Sequence, residues 1–266
     1  MNHHYRTRIQ GEGLQEKIRD IEFSIYETMM IPGFFVMLTI LLWLFCLDLK
    51  WLKFNTATAI IYTIITLFFV IRSFRKVKAL RKSLNNYRKG LEGERLVGEV
   101  LNKLSNDNTF VFHDIPGDRF NVDHIIVSTR GIFVIETKHF DRSKCHEFIF
   151  DGNMIYRQMK DGARYLCPKL LPQMDGEAKF IQNEIENRTE MKIPVVKVAV
   201  LIGCFIHTSA ENEADQNMKK YFSKYWIVNE KLLSSMFLEE KEIYDDSVVK
   251  LIASHIKELV KIDIDK

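Results

Sequence analysis

Apolar and polar positions divide the chain at about residue 90. Before it stand two uncharged runs, Met29 to Leu47, "MMIPGFFVMLTILLWLFCL", and Thr56 to Ile71, "TATAIIYTIITLFFVI". The first has about the length a helix needs to cross a bilayer. The second reaches that length when Trp51, Leu52 and Phe54 of the link "DLKWLKFN" lie at the interface, where tryptophan partitions. Pro32 falls in the first turn of the expected helix, which has spare donors. The pattern predicts a two-helix transmembrane hairpin. A buried helical hairpin of a soluble protein is the alternative. A cleaved signal peptide fits worse, because the run begins late and lacks a small-residue cleavage pattern.

From Gly90 the periodicity becomes that of an α/β domain. Leu96, Val97, Val100, Leu101 and Leu104 recur at spacings of three and four, which predicts an amphipathic helix over 91–106. Strands are predicted at 110–113, 121–128 and 131–138, with Gly131 turning the last two into a hairpin. "EFIFDGNMIYRQ" predicts a second hairpin closed by the two-residue turn Asp151-Gly152. A helix over "PQMDGEAKFIQNEIEN", a buried strand at 195–203, a strand at "YWIVN" and two helices near 229–238 and 246–261 complete the order. Residues 208–220 read as a solvated loop. Such an order suits a central mixed sheet flanked by helices.

Charge adds orientation. Residues 72–89 carry Arg72, Arg75, Lys76, Lys78, Arg81, Lys82, Arg88 and Lys89 with no acid, whereas the link between the runs holds only Lys50 and Lys53. The positive-inside rule then puts both termini in the cytoplasm of a multi-pass cell-membrane protein with two spans. The basic stretch serves as a collar on anionic lipid headgroups or as a route for nucleic acid towards the following domain. A formal charge of +3 over 266 residues excludes neither partner. Cys46, Cys145, Cys167 and Cys204 form no CxxC pair and read as reduced structural thiols.

The chemistry lies where the core hairpin is interrupted. In "NVDHIIVSTRGIFVIETKHF", Glu136 and Lys138 are two apart on one strand and share a face, and Asp123 can lie beside them on its neighbour. Converging carboxylates near a strand end make a hard oxygen site for Mg²⁺ or Mn²⁺, with the Thr137 carbonyl as a further ligand. A lysine beside such an ion can orient or deprotonate a water. Glu94 on the preceding helix adds a carboxylate. By spacing alone, an ordinary ion pair explains Asp123, Glu136 and Lys138 equally well. His124 points to the opposite face and reads as a packed histidine. His139 also points away, within reach of a phosphate if the strand ends there. Cys145-His146 is too sparse for zinc. Tyr156, Tyr165 and Trp226 read as core, with base-stacking platforms as the alternative. Arg157, Lys160, Arg164 and Lys169 can contact a phosphate backbone or serve as solubilising charge.

"GLEGERLVGEVLNKL", "NVDHIIVSTRGIFVIETKHF" and "PQMDGEAKF" together resemble the NERD (nuclease-related domain) family of the PD-(D/E)XK nuclease-like superfamily, over roughly residues 88–200. By motif, the resemblance assigns Glu94 to the helix acid, Asp123 to the metal-binding strand acid and Glu136 and Lys138 to the Glu-x-Lys pair. Gln173 matches the glutamine that opens the next helix. Val122-Asp123 stands in place of the Pro-Asp dipeptide. The resemblance implies a restriction-endonuclease-like fold and divalent-metal-dependent hydrolysis of DNA, or RNA, by a metal-activated water. A tethered binding or signalling module on the same fold, without turnover, is the alternative. Residues 1–28 are then a cytoplasmic arm, 29–71 the two spans, 72–89 a basic linker and 90–266 the nuclease-like domain with its core at 90–203. A homodimer is left open.

Overall fold

The computed structural model describes residues 5–48, 56–118, 120–140, 145–151, 153–203, 205–208 and 225–263. Trp51, Leu52, Phe54, Gly152, Cys204 and most of the 208–220 loop lie outside them. The described residues form two compact units, one of residues 14–88 and one of residues 1–13 together with 89–266.

The first unit is an antiparallel pair formed by α1 (Glu12–Asp48) and the first part of α2 (Thr56–Asn102). Both helices outrun the expected spans, at about 55 and 70 Å for a rise of 1.5 Å per residue. The polar residues before Met29 continue α1, so Pro32 sits in a helix interior and not in a first turn. Residues 72–89, read as a linker, are uninterrupted helix that runs on into the amphipathic segment. Between the helices, Thr39 Oγ1 meets Thr66 Oγ1 at 2.7 Å, Trp43 Nε1 donates to Thr63 Oγ1 at 3.0 Å, and Phe35 stacks on Phe69. Ile31, Phe34, Ile64 and Phe68 point outward. Only 11% of each apolar stretch is buried, the reverse of what a core helix requires. Both helices are long and apolar enough to cross a membrane.

The second unit is a sandwich. Its main sheet has the order β10-β8-β4-β3-β2, comprising β2 (Thr109–Pro116), β3 (Asn121–Ser128), β4 (Gly131–His139), β8 (Val195–Ile202) and β10 (Trp226–Val228). β2, β3 and β4 pair antiparallel, while β8 runs parallel to β4 and β10 parallel to β8. Alternation along the strands fills both faces. Ile125, Val127, Ile132 and Val134 pack on one side against Ile181 and Ile185 of α3 (Leu170–Thr189) and Ile252 and Ile256 of α5 (Asp246–Leu259). Ile126, Phe133, Ile135 and Val198 pack on the other against Val97 and Leu101 of α2 and Phe237 of α4 (Leu233–Glu239). The result is a mixed sheet between helical layers, as expected.

A smaller sheet has the order β7-β6-β5-β9, formed by β5 (Cys145–Phe150), β6 (Ile155–Met159), β7 (Arg164–Leu166) and β9 (Phe205–Thr208). Phe148 and Phe150 bury against Leu170, Met174, Ala199 and Leu201. The β5–β6 connection is four residues long and not two. Phe150 pairs with Ile155, and Asp151 Oδ1 accepts the N–H groups of Asn153 and Met154, an Asx turn that replaces the expected Asp-Gly turn.

The N-terminal arm is structured. β1 (Tyr5–Thr7) pairs antiparallel with β11 (Lys261–Asp263), and the Arg8 N–H donates to Val260 O. Asp114, buried with φ +51°, accepts Arg8 Nη1 at 2.7 Å, the Gly13 N–H at 2.9 Å and Asn121 Nδ2 at 2.7 Å. Removing the cation from such a pair strands a buried carboxylate. Arg8→Ala is expected to destabilise this unit by roughly 2–4 kcal/mol. Hydrogen exchange should accelerate first in residues 5–13 and 109–116; unchanged exchange there would contradict the clasp.

Candidate functional site

Backbone pairing between β3 and β4 ends at His124–Ile135. Beyond it, the Thr137 N–H donates to Asp123 Oδ2 at 2.7 Å, so a carboxylate takes the place of a strand partner. Asp123 lies on the face of Ile125 and Val127, and Glu136 and Lys138 on that of Ile132 and Val134. All three therefore look towards the α3 side of the sheet. Glu136 is buried, and Lys138 Nζ bonds to its Oε1.

Helices from both layers add carboxylates. Glu94 on α2 and Glu177 on α3 are buried, and both, with Glu136, act on Asp123 through their charge. Burial, and then these neighbours, push Asp123 well above the usual carboxylate range. Glu177 is raised to about 9 by burial first and the Glu136 charge second. Glu177 and Glu136 stand close enough to share a proton. Gln173 Nε2 donates to Glu177 Oε1 at 2.8 Å. Burial is the largest single influence and opposes the Lys138 charge, yet Glu136, Asp123 and Glu177 together raise the lysine.

The structure thus brings Asp123, Glu136, Lys138, Glu94 and Gln173 to one place, with Thr137 supplying a backbone donor. Glu177 was not among the residues singled out by sequence. Its signal was the i, i+4 spacing from Gln173, which puts both on one helix face. Arg157, Lys160, Arg164 and Lys169 lie apart, on the smaller sheet and the approach to α3. Arg164 Nε bonds to Gln158 Oε1, and Lys160 and Lys169 are exposed.

The donor set fits a hard divalent cation. Glu136, Asp123 and Glu177 act on Lys138, and Glu94 acts on Asp123. Among the described residues, Glu136 Oε2 and Glu177 Oε2 are buried without a hydrogen-bond donor. Among the described residues no three His, Cys, Asp or Glu side chains close into a ligand cage. An open set of one or two carboxylates is what Mg²⁺ uses, because it retains water.

Gly93 explains the Gly-Glu pair. A Cβ there would stand 2.8 Å from His139 Cβ and 3.3 Å from Ile202 Cδ1, so only glycine lets α2 approach the end of β4 and deliver Glu94. Gly93→Ala is expected to cost roughly 1–3 kcal/mol in chemical denaturation, as overpacking does. A midpoint equal to wild type would mean the helix yields freely.

His139 Nδ1 meets the Lys89 carbonyl at 2.9 Å, which turns it to α2. His124, on the opposite face from Asp123, is buried with its Nδ1 2.8 Å from His113 Nδ1, and His113 Nε2 is 3.0 Å from Asn102 Oδ1. If the Asn102 oxygen accepts from His113, His113 Nδ1 must accept from His124, and both rings are neutral. Burial lowers His113 to about 4 and His124 well below its usual range. Between pH 6.5 and 4 the unfolded chain binds protons that the folded pair refuses, so this pair withdraws stability as pH falls through that window. Histidine hydrogen–deuterium exchange should give both rings midpoints below 5 and slow C2–H exchange. Midpoints near 6.5 would contradict the buried pair.

Residues 89–202 match the family model described as NERD, the nuclease-related domain. That stretch is similar to nuclease-related domains. Among curated proteins, an uncharacterized protein of Bacillus anthracis is 38% identical over 58 residues, which are 20% of this chain and 27% of that protein. The chain therefore spans about a quarter of that relative. No solved structure matches.

Proposed function

We propose that this nuclease-related domain hydrolyses phosphodiester bonds of nucleic acid, DNA in the first place, while held at a membrane by two helices. The observation that carries this reading is the convergence of Glu136, Glu94 and Glu177 on Asp123, with Lys138 bonded to Glu136, where β3 and β4 part. Asp123 and Glu136, with the Thr137 carbonyl, would hold Mg²⁺ or Mn²⁺, and Glu94 and Glu177 would stand behind them. The ion, when bound, supplies charge for the phosphate oxygens and lowers the pKa of water.

The chain's own residues divide the remaining work. Asp123 is fixed by the Thr137 N–H, so its second oxygen is aimed without rotamer freedom. Lys138, half-exposed and kept protonated beside Glu136, orients the attacking water and offers charge to the phosphate. Gln173 restrains Glu177. Arg157, Lys160, Arg164 and Lys169 would hold the nucleic-acid backbone.

The outward apolar faces of α1 and α2 support membrane anchoring. The pairing of β1 with β11 supports an even number of crossings, since chain segments on either side of the helix pair belong to one unit. The basic residues 72–89 support a cytoplasmic position for that unit and attraction of this stretch to anionic lipid. A second reading keeps the binding and drops the turnover. It is favoured by Lys138 Nζ occupying a Glu136 oxygen that a cation would use. Calorimetric titration of the full chain in detergent with Mn²⁺ and Mg²⁺ separates them. Saturable binding that is lost in Asp123→Asn supports the enzyme, and no binding supports the inert module.

A further inference from the structure

We propose that Arg157 and Tyr165 form a stacking site for an unpaired base on the smaller sheet, so that the substrate class is single-stranded nucleic acid or a duplex with a single-stranded flank. This rests on the nuclease reading above and names the strand that site takes.

Arg157 and Tyr165 are cross-strand partners on β6 and β7 and share one face of the smaller sheet. On that face the row begins with Ile206 and fully buried Phe148 and ends at Tyr165, on the edge strand. The sequence reading took Tyr165 for core; the structure leaves it 53% exposed. The Arg157 guanidinium carbon lies 5.7 Å from the Tyr165 ring centre and 6.0 Å from that of Phe140. Phe140 is two residues beyond Lys138, so Arg157 reaches a ring just past the end of the strand that carries the candidate catalytic lysine.

Arg157 has no carboxylate within ion-pairing distance among the described residues, and its Nε is buried with no acceptor. An arginine held between two rings, short of an acceptor, is prepared for a phosphate. Tyr165 beside it offers a ring face at the height of a base. Alternating cations and aromatic faces are how strands without a pairing partner are held, because every base has a π-face and every nucleotide a phosphate. A duplex keeps its bases stacked inside and would leave the Tyr165 ring unused.

The test uses the full chain in detergent with EDTA, so that binding is read without turnover. Fluorescent single strands, blunt duplexes, duplexes with single-stranded flanks and an abasic strand of equal charge are the probes. Tyr165→Ala should weaken single strands and flanked duplexes roughly ten- to a hundredfold. It should leave the abasic strand and the blunt duplex unchanged, while Tyr165→Trp retains affinity. Arg157→Ala should weaken the abasic strand as well. If wild type binds these probes and Tyr165→Ala changes none of them, or changes the abasic strand equally, the stacking site is wrong and the nuclease reading stands. If wild type binds no nucleic acid, both fall together.

Discussion

Lys138→Ala should cut less nucleic acid than wild type by roughly a thousandfold while binding it nearly as well. A positioned group that acts on a water or on developing charge contributes about 10²–10⁴ in rate. Lys138 reaches the cluster from the end of β4, with its ammonium on Glu136 and much of its stem exposed. Its removal leaves buried Glu136 without that cation, so the variant's fold should be checked beside its activity, with stability lost in EDTA and regained with a bound divalent ion. It also takes away a cation that competes for Glu136, so the variant should need less divalent ion for its residual activity. Single-turnover cleavage across a metal titration, beside binding in EDTA, separates the two effects. Lys138→Arg tests whether charge suffices. A fork of donors in place of a compact ammonium should restore the charge more than the rate. Equal rates in wild type and Lys138→Ala would remove the lysine from the mechanism.

Asp123→Asn should make the protein more stable and inactive. The carboxylate is partly buried among Glu136, Glu94 and Glu177, and burial and repulsion both oppose its charge. An amide keeps an oxygen for the Thr137 N–H and carries no charge, so stability in EDTA should rise by about 0.5–2 kcal/mol, as at other sites whose strain serves function. Wild type should gain about 2.7 kcal/mol from a divalent ion at a hundred times its dissociation constant, and the variant almost nothing. The pH dependence follows the same cluster. Glu177 ionises near 4.5 in the unfolded chain and near 9 in the fold. The fold binds the extra proton between those values, so without metal the cluster costs stability as pH rises through them. A bound divalent ion should flatten that slope. Urea denaturation of both proteins, with and without Mg²⁺, at pH 6 and pH 8.5 measures all of this. A variant less stable than wild type in EDTA would show that the carboxylates are not in conflict.

The strands of the site were readable because their pattern is local. The expected 121–128 and 131–138 agree with β3 and β4 to within a residue, since alternation and Gly131 set both ends. The face shared by Asp123, Glu136 and Lys138 follows from the same period of two. What escaped depends on residues far apart. Nothing near Arg8 announces Asp114, 106 positions away, or a strand formed by the two ends of the chain. The continuity of α2 was hidden by a change of character at residue 72, where apolar gives way to basic without any helix-breaking residue. Glu177 had a local signal, its spacing from Gln173, but its contact with Glu136 is tertiary. Tyr165 looked like core because its edge-strand position is set by the pairing of β6 and β7.

The central claim is that the carboxylate cluster performs metal-dependent cleavage. Its most direct test is incubation of the full chain, purified free of host nucleases, with supercoiled plasmid and labelled single strands in Mg²⁺, Mn²⁺ or EDTA, beside Lys138→Ala and Asp123→Asn. The full chain matters, because a fragment starting near Tyr87 would lack Arg8 and the strand that holds the C-terminus. The account predicts cleavage in Mg²⁺ or Mn²⁺ that disappears in EDTA and in both variants. Intact substrates in every tube, or cleavage that the variants retain, would contradict it.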